Sequence, residues 1–260
     1  MFFYFLLQII STRGSLEDLY LVPPYVDGKG KSNVVNFLGD FSILSYGGNR
    51  HIKLGFIYPD TRGAIVYRNQ VGTDKFVIDT KVNLNAVSKG QENNGMLIFF
   101  NKTDNVEFGS MYGIKLDTEF AVALDIKKGL EVVIKIFINN KEDSSKTFQF
   151  YENDDVKIRI EQNDILKVEV DDNYDKLVVY ESDKFMISKR TFLGVSASNG
   201  SESSTSFSLR SIEASYPIVI PKIFKRGERE GSSKMVWIVF LGSVCGLVYY
   251  LYGLQIRKNE

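Results

Sequence analysis

Short apolar runs punctuated by turn residues fill the middle of the chain. From residue 51 to residue 215, runs of Val, Ile, Phe and Tyr are bounded by Gly, Asn, Asp and Ser. Several runs alternate with a period of two. Val156, Ile158 and Ile160 fall on one side, and Lys157, Arg159 and Glu161 on the other, as in a half-buried strand. Proline occurs at 23, 24, 59, 217 and 221 and nowhere between 59 and 217. Helix-length amphipathic patterns are scarce there. The pattern predicts strands at 51–56, 63–67, 75–84, 96–101, 119–126, 131–138, 156–162, 165–170, 176–181, 192–198 and 205–215. Asn94-Gly95, Asn139-Asn140 and Asn199-Gly200 predict tight reversals, because Asn and Gly tolerate the left-handed backbone such turns need. Many short strands with regular turn signals make a sandwich or a barrel.

Both ends break this pattern. Residues 1–10 are apolar except for Gln8, too short to span a bilayer, which takes about 20 residues. Small and polar residues follow, as after the apolar core of a secretory signal peptide. Residues 1–14 are therefore expected to be a signal peptide, although no Lys or Arg precedes the apolar core; a buried first strand is the other reading. Residues 235–254 carry no charge and have the length of a transmembrane helix. Trp237 stands near one end and Tyr249, Tyr250 and Tyr252 near the other, where aromatic belts lie. Basic residues flank both ends, so the signal peptide decides the orientation. The expected organisation is a luminal domain at 15–216, a charged Pro- and Gly-containing linker at 217–234, the membrane helix, and a cytosolic tail at 255–260. The tail holds Arg257 and Lys258 close to the last residue, in the arrangement of a dibasic Golgi-to-endoplasmic-reticulum retrieval signal, which a coat protein would read. Their other reading is a stop-transfer anchor at the anionic leaflet.

Composition narrows the chemistry. With 32 basic and 32 acidic side chains, the chain lacks the positive excess that nucleic-acid binding uses. Its single cysteine, Cys245, excludes a disulfide framework and a cysteine-rich zinc module. The single histidine, His51, is the only one available to a Ser-His-Asp or Cys-His arrangement, and a surface or hydrogen-bonded histidine is the simpler reading.

A family resemblance is carried by ordered segments: HIKL at 51–54, TRGAIVY at 61–67, KFVIDTKV at 75–82, NGMLIFF at 94–100, AVALD at 121–125, VKIRI at 156–160, ILKVEV at 165–170, FLGVSASNG at 192–200 and SLRSI at 208–212. Together they resemble the L-type, legume-like lectins, and among these the membrane-anchored cargo receptors that cycle between endoplasmic reticulum and Golgi. The stretch at 192–200 is the most specific piece, similar to the family's Phe-Gly-Val-Ser-Ala-Ser-Thr-Gly. The resemblance implies an all-β, concanavalin-like β-sandwich (jelly roll). It implies recognition of high-mannose glycans on secretory cargo at loops over the concave sheet, usually with calcium. The carbohydrate-binding positions it indicates are Asn94, Gly95, Asp125, Asn199 and Gly200.

The chain departs from the family at those loops. The sugar-binding aspartate falls on Asn94, which keeps hydrogen-bonding capacity and loses the charge-assisted bond. The family's metal loop begins at Asp125 but continues Ile126, Lys127, Lys128, Gly129. Two lysines beside a calcium ion would repel it. The family's second metal carboxylate falls near Gln149 and Phe150, and its His-Asp pair on Phe207 and Ser208. Asp125 is thus the one metal ligand retained, and the expected cofactor is none. Each position also has a plainer reading. Asn199-Gly200 is then a hairpin turn, and Asp125 a strand-end residue facing solvent or capping a turn.

Glu169 and Asp171 stand two apart in a predicted strand, as the acid and nucleophile of some sandwich-fold glycosidases do. Those enzymes have a third acid two residues on, where this chain has Asn173. Asn101-Lys102-Thr103 and Asn199-Gly200-Ser201 are N-glycosylation sequons. The expectation is a non-enzymatic, lectin-like cargo receptor. It would be a single-pass type I protein of endoplasmic reticulum, intermediate compartment and Golgi membranes, with secretory glycoproteins or proteins as partners. The alternatives are a membrane adaptor that binds no sugar and, less favoured, a membrane-bound glycosidase.

Overall fold

A strand with one apolar face has to bury that face against a second layer, and the fold meets this demand with two stacked sheets. The computed structural model describes Leu16 and residues 19–46, 49–55, 58–85, 94–115, 117–127, 131–149, 155–171, 176–200 and 206–217. All fall in one unit, Met1–Pro217. The expected signal peptide, the linker beyond Pro217, the membrane helix and the tail with Arg257 and Lys258 lie outside the described residues. Among the described residues, no helix is long and apolar enough to cross a membrane.

The described strands are β1 (Val35–Gly39), β2 (Phe41–Tyr46), β3 (Asn49–Leu54), β4 (Arg62–Gln70), β5 (Phe76–Asn85), β6 (Gly95–Asn101), β7 (Phe108–Met111) and β8 (Thr118–Ile126). They continue with β9 (Glu131–Ile138), β10 (Lys141–Gln149), β11 (Asp155–Gln162), β12 (Leu166–Asp171), β13 (Lys176–Ser182), β14 (Phe192–Ser198) and β15 (Ser206–Ser215). Sheet one has the order β1-β4-β14-β6-β8-β9-β10, and sheet two β13-β12-β11-β5-β15-β3-β2. Neighbouring strands are antiparallel throughout.

The main core draws on both sheets. Ile65, Ile98, Phe100 and Val122 of sheet one share it with Ile78, Val82, Ile158, Ile160 and Val168 of sheet two. The rings of Phe76 in β5 and Phe100 in β6 stack across the layers, 5.9 Å between centroids. Each such side chain removed from water contributes about 1.5–3 kcal/mol.

Sheet one is also covered on its outer face. Every residue of β6 is buried: Met96, Ile98 and Phe100 enter the main core, while Leu97 and Phe99 join a second cluster with Ala64, Val66, Ala121, Ala123, Tyr112 and Ile114. Small residues floor this face. A Cβ on Gly194 would strike the Phe99 ring, so glycine there admits the phenylalanine. Tyr112 and Ile114, which follow β7, close the cluster from outside.

The eleven strands expected from the sequence are present, with ends shifted by up to three residues. Four others carry no clear apolar alternation. β10 reads KEDSSKTFQ, with Phe148 its one buried residue. It is an edge strand, and its charges and the irregularity between Glu142 and Ser144 blunt an edge that could pair with another chain. β1 and β2 are the remaining unexpected edges, and β7 has four residues.

Two of the three expected reversals are corrected. Asn139 and Asn140 do form the β9–β10 turn, both with positive φ (48° and 67°). The Asn94-Gly95 and Asn199-Gly200 dipeptides do not turn hairpins. The first leads from the β5–β6 connection into β6, the second lies between β14 and β15, and each of these strand pairs is split between the two sheets. The dipeptide signal is local, whereas sheet membership is decided by burial of whole strands.

Candidate functional site

The five positions singled out in the sequence come together at one end of sheet one. Ser198 of β14 is opposite Gly95 of β6, Gly95 is opposite Asp125 of β8, and Asp125 is opposite Val133 of β9. Asn199 and Gly200 extend from Ser198, and Asn94 precedes Gly95. The backbone ties these segments to their neighbours. The Ile126 amide donates to the Asn94 carbonyl (2.9 Å), and the Asn199 amide to the Thr61 carbonyl (3.0 Å). The Asn199 side-chain amide reaches the Tyr58 carbonyl at 3.5 Å.

Their side chains are buried. Asn94, Asp125 and Asn199 are 0%, 1% and 2% exposed. Asp125 is thus neither a solvent-facing strand end nor an open sugar acceptor. It shares the covered outer face with Ala123 and Ala121, two and four residues back along β8. Gly95 has no room for a side chain: a Cβ would meet the Leu124 carbonyl and come within 3.0 Å of the Tyr112 ring. Burial pushes the Tyr112 phenol well above the ordinary tyrosine range, and the negative charges of Asp125 and Glu142 push it further the same way. Tyr112 therefore covers the Gly95–Asp125 pair within reach of the Asp125 charge.

Two lysines neutralise Asp125. The Nζ of Lys127, just past β8, and the Nζ of Lys135, on β9, each lie 2.9 Å from Asp125 Oδ2. Their side chains are 33% and 24% exposed, so the pairs are well shielded. Lys127 was visible in the sequence as a departure. Lys135 and Tyr112 were not. The available signal for Lys135 was a lysine inside the apolar run EVVIKIFI, whose meaning depends on the β8–β9 register.

Calcium takes about 6–8 oxygen ligands, carboxylates among them. Here the one retained carboxylate already has two ammonium groups on a single oxygen. Among the described residues, no group of three or more His, Cys, Asp and Glu side chains gathers as a metal site. The residues present do not fit the ion. Gln149 is opposite Glu131, at the same end of sheet one, while Phe150 lies outside the described residues. Phe207 and Ser208 belong to β15 in sheet two, with Phe207 in the main core, so this pair does not join the site.

The other candidates find structural partners. Glu169 accepts from Lys167 Nζ at 2.7 Å and Lys176 Nζ at 2.8 Å. Burial pushes its carboxyl up, but the two lysines outweigh burial and the net shift is downward, the opposite of what a general acid needs. His51 Nδ1 is 3.0 Å from Arg210 Nη1. Arginine can only donate, so Nδ1 accepts. Burial and then the charges of Arg210 and Lys53 hold this imidazole below its usual range, against a smaller opposing effect of Asp155. Both sequon asparagines are buried, Asn101 at 5% and Asn199 at 2% exposed.

Two seven-stranded antiparallel sheets, one with its outer face covered by residues that follow a short strand, form the fold of the legume-lectin-like domains. No protein-family model and no curated protein matches the chain, but solved structures do. The exoplasmic/luminal domain of VIP36, in a form bound to calcium and mannose, superposes with a TM-score of 0.66 at 17% identity, covering 79% of this chain and 93% of that one. A legume lectin-like domain from Entamoeba histolytica gives 0.62 at 16% identity, over 77% and 97%. The carbohydrate recognition domain of Emp47p gives 0.61 at 18%, over 77% and 96%.

Proposed function

We propose that the chain is a lectin-like cargo receptor of the early secretory pathway, with the sandwich as its luminal recognition module. One observation carries this reading. Three segments distant in sequence, Asn94-Gly95, Asp125 and Asn199-Gly200, meet at one end of sheet one, in a fold shared with a mannose-bound VIP36 domain and with the carbohydrate recognition domain of Emp47p. The ligands are secretory glycoproteins or proteins. Residues 235–254 anchor the module, and Arg257 and Lys258 present a retrieval address to coat proteins.

The burial of Asn94, Asp125 and Asn199 favours a second reading, a membrane adaptor that binds protein partners and no sugar. A glycan array probed with the full chain in detergent separates the two. The receptor reading expects weak binding to extended high-mannose glycans, with little affinity for free mannose. An amide at position 94 forgoes a charge-assisted bond worth on the order of 1 kcal/mol beyond a neutral one. No binding to any glycan would leave the adaptor.

A further inference from the structure

We propose that Lys127 and Lys135 stand in for a divalent cation at Asp125, so that this end of sheet one is set by covalently attached charge and recognises its ligand without metal. The second half rests on the receptor reading above; the first half does not.

Three observations carry the proposal. The first is charge. Two ammonium groups sit at equal distance, 2.9 Å, from one oxygen of one buried carboxylate. They bring the same two positive charges as a divalent cation, to the one carboxylate that the resemblance assigns to a metal. The second is connectivity. Lys127 follows β8 and Lys135 lies on β9, opposite Ala123. Their common acceptor therefore braces the β8–β9 connection from both sides, and the Lys127 amide closes it by donating to the Glu131 carbonyl at 2.9 Å. A bound ion orders a loop by drawing ligands from several segments to one point, and here the lysines do this from the other direction. The third is burial. Asp125 is 1% exposed, so its charge requires a partner in the fold. Exposed ion pairs contribute little, but a buried carboxylate deprived of its counter-charge is strongly destabilising.

A metal ion could approach Asp125 Oδ2 only by displacing both ammonium groups or by lying beside them. The sequence change at position 127 alone would weaken a metal site. The second lysine, supplied by the neighbouring strand, turns a damaged site into a differently built one. Reversal at position 127 alone, for example Lys127→Tyr, should therefore leave the site closed to calcium while Lys135 remains.

Thermal unfolding of the full chain in detergent, with millimolar calcium or with EDTA, tests this. The wild type should unfold at the same temperature in both, within about a degree, because a ligand that does not bind the folded state does not stabilise it. Lys127→Met with Lys135→Met should lower the midpoint by on the order of 10 °C in EDTA. A calcium-dependent rise in the wild type, or a calorimetric titration of the wild type showing one tight calcium site, overturns the proposal, and neither measurement depends on whether the variant folds. A double variant as stable as the wild type also overturns it. For the second half, glycan binding by the wild type should persist in EDTA. Binding lost in EDTA with the unfolding midpoint unchanged overturns metal-free recognition. Absence of any glycan binding overturns the receptor reading and leaves the stability result to judge the ammonium pair.

Discussion

Glu169 shows how one buried carboxylate on the outer face of sheet two shapes the response to acid. Its folded-state ionisation is displaced downward, with burial outweighed by the bonds from Lys167 and Lys176. A depressed carboxyl contributes stability that is present above its unfolded value and is lost as pH falls through the folded one. The urea midpoint of the wild type should therefore fall on acidification below the ordinary carboxylate range, and Glu169→Gln should make that fall shallower. An unchanged acid limb would mean that Glu169 is not held by its lysines. Gly95 makes a second prediction at this scale. Its missing side chain is required by the close approach of the Leu124 carbonyl and the Tyr112 ring, so Gly95→Ala should cost about 3 kcal/mol in denaturant unfolding. A loss under about 1 kcal/mol would show that the Tyr112 cover is easily displaced. At this scale the sequence disclosed Asn94, Asp125 and Lys127, because each departs from or keeps a motif position. It could not disclose Lys135 or Tyr112, whose roles exist only through strand pairing and through the packing of Tyr112 on the outer face of sheet one.

Among the elements, those with at least one buried face were legible. β6, β8, β11 and β14 announce themselves because burial of one or both faces imposes apolar residues at fixed positions. β1, β2 and β10 are sheet edges, and β10 in particular is held by its backbone pairing with β9 and shows mostly polar residues, so periodicity passes over it. The β9–β10 connection is the exception that local chemistry does reveal, since both of its turn residues need positive φ. Turn preference alone would favour glycine at the second position, Asn140. The structure predicts otherwise. Asn140 Oδ1 accepts from the buried Thr118 amide at 2.7 Å and from the Thr118 hydroxyl at 3.3 Å, joining the turn to the start of β8. Asn140→Gly should cost about 1–3 kcal/mol, since it strands a buried donor. Asn139→Gly, whose backbone bond to Glu119 survives the change, should stay within about 0.5 kcal/mol of the wild type. Denaturant midpoints of the two variants check this, and equal effects would assign the turn to conformational preference alone.

For the whole molecule, the sandwich, the apolar segment at 235–254 and the basic pair at 257–258 have to be read together. With 32 basic and 32 acidic side chains, the chain has no net charge to hold it at an anionic surface, so the proposed membrane residence rests on the apolar segment. On the proposed function, choice of compartment then falls to the tail. Lysine and arginine beside a membrane helix can act in two ways: as a charge anchor at the anionic leaflet, worth about 1 kcal/mol per residue, or as an address read by a receptor. The two roles predict different outcomes for the same change. Replacing Arg257 and Lys258 with Ser should move the protein from endoplasmic reticulum and early Golgi membranes to the cell surface or a late compartment, with its orientation preserved. An equal removal of charge on the other side of the segment, Lys225→Ser with Arg226→Ser, should leave the compartment unchanged if the address lies in the tail. Microscopy of the tagged protein, combined with protease protection to report orientation, reads both results. If the tail variant keeps its distribution, the retrieval role of Arg257 and Lys258 is overturned, and any residence in the early pathway would have to be explained by what the sandwich binds.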